Sequence, residues 1–93
     1  MPLDFVCDPR KAASNERKHG VSFKEAASAF ADPFSLTIPD PDHSEGEVRY
    51  LLLGMSDHQR LVVVAHAECG DEIRLISARL ANRRERYCYE EGE

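Results

Sequence analysis

Two ionisable side chains, Lys18 and His19, stand directly before a glycine in the run Lys18-His19-Gly20-Val21-Ser22-Phe23. An ammonium can hold phosphate oxygens, and an imidazole whose ordinary pKa is about 6.5 can pass a proton near neutrality. The pair suits phosphate chemistry. It also suits the negative end of a helix, where cations are stabilising without any ligand. Arg74 and Arg79, in Ile73-Arg74-Leu75-Ile76-Ser77-Ala78-Arg79, form the second group. A guanidinium fork matches two oxygens of a phosphate or carboxylate at once. A charge set among Ile73, Leu75 and Ile76 needs a partner or a ligand, because a lone buried charge is costly. The competing explanation is an ion pair with Glu47, Glu68 or Glu72. Arg74 and Arg79 are five positions apart, so an unbroken strand aims them at opposite faces. They converge only if the strand ends near Ser77 and Arg79 belongs to the turn that follows.

His66 ends an apolar strand in which Val62, Val64 and His66 share a face. It reads either as a residue at the edge of the core or, with His19, as a group placed for proton transfer. His43 and His58 fall in a loop and a turn. The histidines lack His-x-x-x-His spacing and no cysteine pair lies near them, so neither metal nor cofactor is expected. Cys7, Cys69 and Cys88 have no C-x-x-C spacing, which disfavours a disulfide framework. Each reads as a small apolar residue or a stray thiol.

The elements that must carry these groups follow from local signals. Asp8 is an N-cap and Pro9 fits the first helical position, so a helix is expected from there to Lys18 or His19, closed by Gly20 in the left-handed conformation. Its apolar content, Ala12 and Ala13, is thin. Ser22 and Glu25 have capping-box spacing and open a second helix that stops before Asp32-Pro33. Phe23, Ala27 and Phe30 form its apolar stripe, read as a core anchor. Strands are then expected at Phe34–Ile38, Val48–Met55, Leu61–His66 and Ile73–Ala78, joined by turns at Ser56–Arg60 and Glu68–Asp71. Short connections imply an antiparallel meander. Leu80–Glu91 is compatible with a C-terminal helix. The expected class is α+β: two N-terminal helices, an antiparallel sheet of three to four strands and a C-terminal helix, one domain over residues 1–93.

Composition limits the function. The net charge of −5 disfavours a protein that coats a polyanion. The distribution still allows a local phosphate site, since acids gather in Asp40–Glu47 and Glu90–Glu93 and arginines in Arg74–Arg86. No apolar run reaches the roughly 20 residues a membrane helix needs. The N-terminal residues lack a basic-then-apolar signal, and the expected compartment is the cytoplasm.

Taken in order, several segments resemble one family, BrnT: Asp8-Pro9, Lys11, Asn15, Lys18-His19-Gly20-Val21-Ser22-Phe23, Glu25-Ala26, Phe30 and Asp32-Pro33, then Arg49, Gly54, Val64-x-His66, Ile73-Arg74-x-Ile76-Ser77-Ala78-Arg79 and Glu85-Arg86-x-x-Tyr89. The resemblance runs from Phe5 to Tyr89. It implies a RelE-like fold and a ribonuclease toxin of a type II toxin–antitoxin pair. Its partner would be a BrnA-like ribbon-helix-helix antitoxin, through which alone it would meet operator DNA. It further implies metal-independent cleavage of RNA, with Arg74 and Arg79 on the phosphate and Lys18 as an added cation. His19 is the first candidate for proton transfer and His66 the second, while Arg49 and Tyr89 would contact substrate. The alternative is a non-catalytic module that pairs with the antitoxin as co-repressor.

Overall fold

The computed structural model describes residues 4–40 and 48–92. His43 and the acidic residues Asp42, Glu45 and Glu47 lie outside them. In order, the described elements are β1 (Asp4–Val6), α1 (Pro9–His19), α2 (Phe23–Ser28) continued by a 3-10 turn (Ala29–Ala31), β2 (Leu36–Pro39), β3 (Arg49–Met55), β4 (Leu61–Cys69), β5 (Glu72–Leu80) and α3 (Arg83–Glu91). The described strands form one sheet in the order β1-β5-β4-β3-β2. This is α+β, as expected, but with five strands rather than three to four. β1, outside the strands expected, pairs parallel with β5 through Phe5 and Ile73, so the sheet is not a pure meander.

The helix signals act as their chemistry requires. Asp8 accepts a hydrogen bond from the Arg10 backbone N–H at 2.9 Å, and Gly20 closes α1 at φ +71°. The capping box at α2 is only half made. Ser22 Oγ accepts from the Glu25 N–H at 3.0 Å. The Glu25 carboxylate instead turns inward to Arg60 and Ser56. The full box occurs at α3, where Asn82 and Glu85 satisfy one another's backbone N–H groups.

Directly opposed residues on neighbouring strands share a face, and the pairing therefore sorts the side chains. Leu52, Val62, Val64, Ile73, Leu75 and Ala78 join Val21, Phe23, Ala26 and Ala29 in the core, with Phe5, Ala12, Ala27 and Phe30 packed against it. The Phe23–Phe30 stripe thus serves as an anchor. Gly54 lies where the 3-10 turn meets β3, and a Cβ built there would stand 2.9 Å from the Ala29 carbonyl oxygen. Only glycine allows that approach. The opposite face carries Arg49, Leu51, Leu53, Leu61, Val63, Ala65 and Ala67 and is partly roofed by α3. Among the described residues, no helix is long and apolar enough to cross a membrane.

Candidate functional site

The α1 helix is thin in apolar residues because its inward face is built from Ala12, Asn15 and His19, spaced i, i+3 and i+7. Asn15 is buried. Its Nδ2 donates to the carbonyls of Val21 (2.9 Å) and Ala78 (2.8 Å), and its Oδ1 accepts from the Ala78 N–H at 3.0 Å. One side-chain amide thereby pairs with the edge of β5 where the short β1 has ended. This docks the last turn of α1 against the strand. A cleft of about 210 Å³ results, lined by Lys11, Ser14, Asn15, Lys18, His19, Ile76 and Ser77. Lys18 is exposed on its rim and His19 half-buried. The corner that follows is tied to the β3–β4 turn: Arg60 donates to the Gly20 carbonyl at 2.9 Å and to both oxygens of buried Glu25. Arg60 holds the Glu25 carboxyl below its usual range, against the opposing effect of burial.

The arginines of β5 are re-phased by a bulge. Ala65 pairs with Ser77 but His66 pairs with Leu75, so Ile76 has no partner on β4. One extra residue reverses the alternation. Ile73, Leu75 and Ala78 can then all face the core, and Arg74 and Arg79 both face the other side. The strand does not end near Ser77, as convergence seemed to require; it runs on to Leu80. Arg49 pairs with Ala67, which pairs with Arg74, so two guanidiniums from β3 and β5 flank a wholly buried alanine on β4. Ser77 lies on the same face beside the Lys18–His19 cleft. The structure therefore sets Arg49 and Arg74 on one face of the sheet, while Lys18 and His19 stand at the β5 edge, where their cleft reaches Ile76 and Ser77.

The other residues are placed elsewhere. Arg79 shares that face, but its fork goes to neither Glu68 nor Glu72, and Glu47 lies outside the described residues. It donates to both oxygens of Glu85, each at 2.8 Å, and this holds the Glu85 carboxyl below its usual range. Both partners are partly exposed, with side chains 43% and 26% accessible, so the pair is worth at most about 1 kcal/mol. His66 is on the core side, 1% exposed, between the Phe30 ring (4.8 Å, edge to face) and the Tyr50 ring (5.8 Å, stacked). Burial lowers its pKa, and Nδ1 lies 3.3 Å from the Val64 carbonyl. Tyr89 donates its hydroxyl to Asp32, whose Oδ2 also accepts from the Met55 N–H and whose Oδ1 accepts from that of Phe34. The bond to Asp32 pushes the phenol up to about 12. Burial works to raise the Asp32 carboxyl, but these three donors keep it below its ordinary value.

Three side chains that shape the site had no role assigned from the sequence. Asn15 was marked by its place on the Ala12–His19 stripe, where a polar residue facing inward must be satisfied. Glu85 was marked by its Asn-x-x-Glu spacing. Arg60, in a turn, carried no local signal, since its partners are 35 and 40 positions away.

Comparison with known proteins identifies the family. The family model for the ribonuclease toxin BrnT of type II toxin–antitoxin systems matches residues 7–85. The chain is similar in fold to the Brucella abortus ribonuclease toxin BrnT, known from a crystal structure at 1.1 Å, with a TM-score of 0.63 and 20% identity. That similarity covers 88% of this chain and 100% of the other. Comparison with curated proteins gives no match. With the family model spanning most of its length, the chain belongs to the BrnT family of type II toxin–antitoxin ribonuclease toxins.

Proposed function

We propose that this chain cleaves RNA by attack of a 2′-hydroxyl on its own adjacent phosphate, without a metal. The 2′-oxygen forms a bond to phosphorus and the bond to the 5′-oxygen breaks. The products are a 2′,3′-cyclic phosphate and a 5′-hydroxyl. His19 takes the 2′-proton, and a proton returned from the imidazolium, directly or through water, caps the departing oxygen. Arg74 and Arg49 hold the charge that accumulates on phosphorus, with Lys18 as the added cation. Each well-aimed donor lowers the barrier by roughly 3 kcal/mol. The observation that carries this reading is the placement of Arg49 and Arg74 across Ala67, with the His19 cleft reaching Ser77 farther along β5. In this reading His66 is a core residue, since its enclosure leaves a substrate no approach. Tyr89 ties α3 to Asp32.

The test is cleavage of single-stranded RNA in chelator by the wild type and by His19→Ala and Arg74→Ala. The wild type should release cyclic-phosphate ends, and each variant should fall by about 100-fold. Full activity in both variants removes the site.

A second reading is favoured by the cleft of about 310 Å³ between α3 and the sheet, lined by Leu36, Ile38, Leu51, Leu53, Val63 and Cys88. A surface this apolar suits a protein segment better than RNA. The chain would then act chiefly by pairing with a ribbon-helix-helix antitoxin as co-repressor. Tight antitoxin binding together with no RNA cleavage and no growth arrest on expression would favour it over catalysis.

A further inference from the structure

The Arg79–Glu85 pair stands on the face proposed for RNA, and its geometry is that of a guanidinium on a phosphate: two parallel N–H bonds of 2.8 Å to two oxygens of one anion. Arg79 lies in the row Leu53–Val63–Arg79, two rows along the sheet from Arg49–Ala67–Arg74. Four residues of strand separate those rows, about 14 Å at the usual rise. That spacing suits Arg79 to a different phosphate from the one at Arg74, on the same strand of RNA.

We propose that Arg79 is a second RNA-phosphate site which the Glu85 carboxylate masks, so that substrate must displace an internal competitor. This rests on the RNA-cleaving reading above. The pair is partly open to water and hence weakly held. Glu85 is also not left bare by the exchange, because Oε1 keeps the Asn82 N–H at 2.9 Å. Its retention of that bond lets α3 stay capped while Arg79 turns to the phosphate. Glu85 is thus both the lock on the arginine and the start of the helix that roofs the neighbouring cleft.

Glu85→Gln separates the two roles, since glutamine can complete a capping box but does not neutralise arginine. The measurement is binding of a fluorescent oligonucleotide that carries 2′-deoxyribose throughout, and so cannot be cleaved, across a range of salt concentrations. Glu85→Gln should bind roughly threefold to fivefold more tightly than the wild type. Its plot of log K against log salt should keep the wild-type slope, since Arg79 meets the phosphate in both proteins. The double variant Arg79→Ala/Glu85→Gln should lose the gain in affinity and have a slope shallower by about 0.7, one single-strand phosphate contact fewer. If the double variant keeps the gain, Glu85 acts by general repulsion and the masked site does not exist. Equal affinity for wild type and Glu85→Gln overturns it as well, while Arg74→Ala, measured beside them, reports separately on the RNA-binding face. Circular dichroism of Glu85→Gln should match the wild type; a loss of helix would contradict the claim that the cap survives the exchange.

Discussion

The two faces of the sheet solve opposite problems. On one, α1, α2 and the 3-10 turn press Val21, Phe23, Ala26 and Ala29 against Leu52, Val62, Val64 and Leu75, and even a histidine is enclosed by aromatic rings. On the other, α3 has no buried residue, an apolar cleft remains beneath it, and arginines line the rows beside it. The first face uses its side chains for stability. The second leaves apolar and cationic groups within reach of a ligand, and β5 serves both because one bulge changes which way its residues point.

If that division is right, the largest effects on folding come from the packed face. Leu52→Ala should cost about 2–5 kcal/mol in urea unfolding, since close packing leaves a cavity. Leu51→Ala, one residue along and lining the open cleft, should cost less than about 1 kcal/mol. Similar losses at both positions would break the contrast.

Acid should act on the packed side first. Burial lowers the pKa of His66 from 6.5, so its contribution is complete above that pH and is lost as pH falls through the lower folded value. Arg60 lowers that of Glu25 from 4.5, so its contribution is complete above 4.5 and is lost on further acidification. Glu25→Gln should cost about 2 kcal/mol at neutral pH and flatten the stability curve below pH 4.5. An unchanged acid limb would remove the assigned role of this carboxylate.

The smallest effect belongs to the tie at the far end of α3. Tyr89→Phe removes one hydrogen bond to Asp32 and should cost about 1 kcal/mol, because two backbone N–H groups still satisfy the carboxylate. In the wild type, spectrophotometric titration should place one tyrosine at about 12. The stability this gives is present below the ordinary value of 10.0 and fades as pH rises toward 12.

Much of the skeleton was legible because its signals are local. Asp8-Pro9 and Gly20 bounded α1 from Asp8 to the left-handed cap, and the valine run marked β4. What escaped depends on distant partners. Three residues at the N-terminus add a parallel strand only because β5 offers an edge. The bulge at Ile76 reversed the expected facing of the arginines, and no periodicity of β5 alone announces it. Likewise the Ser22–Glu25 spacing suggested a full capping box, but the half-exposed Arg60 outcompetes a backbone N–H for the buried carboxylate. Lys18 and His19 were legible at the corner after α1; that they stand at the edge of β5 required the docking of Asn15.

The division of labour between the faces is tested most directly by nuclear magnetic resonance of labelled protein titrated with an uncleavable oligonucleotide. Amide shifts should move at Lys18, His19, Ala67, Arg74 and Ser77, with Phe23, Leu52 and Val62 unmoved. Perturbations gathered on the β3–β4 turn or the outer surface of α2, with none around Arg74, would contradict the assignment of the arginine face to RNA.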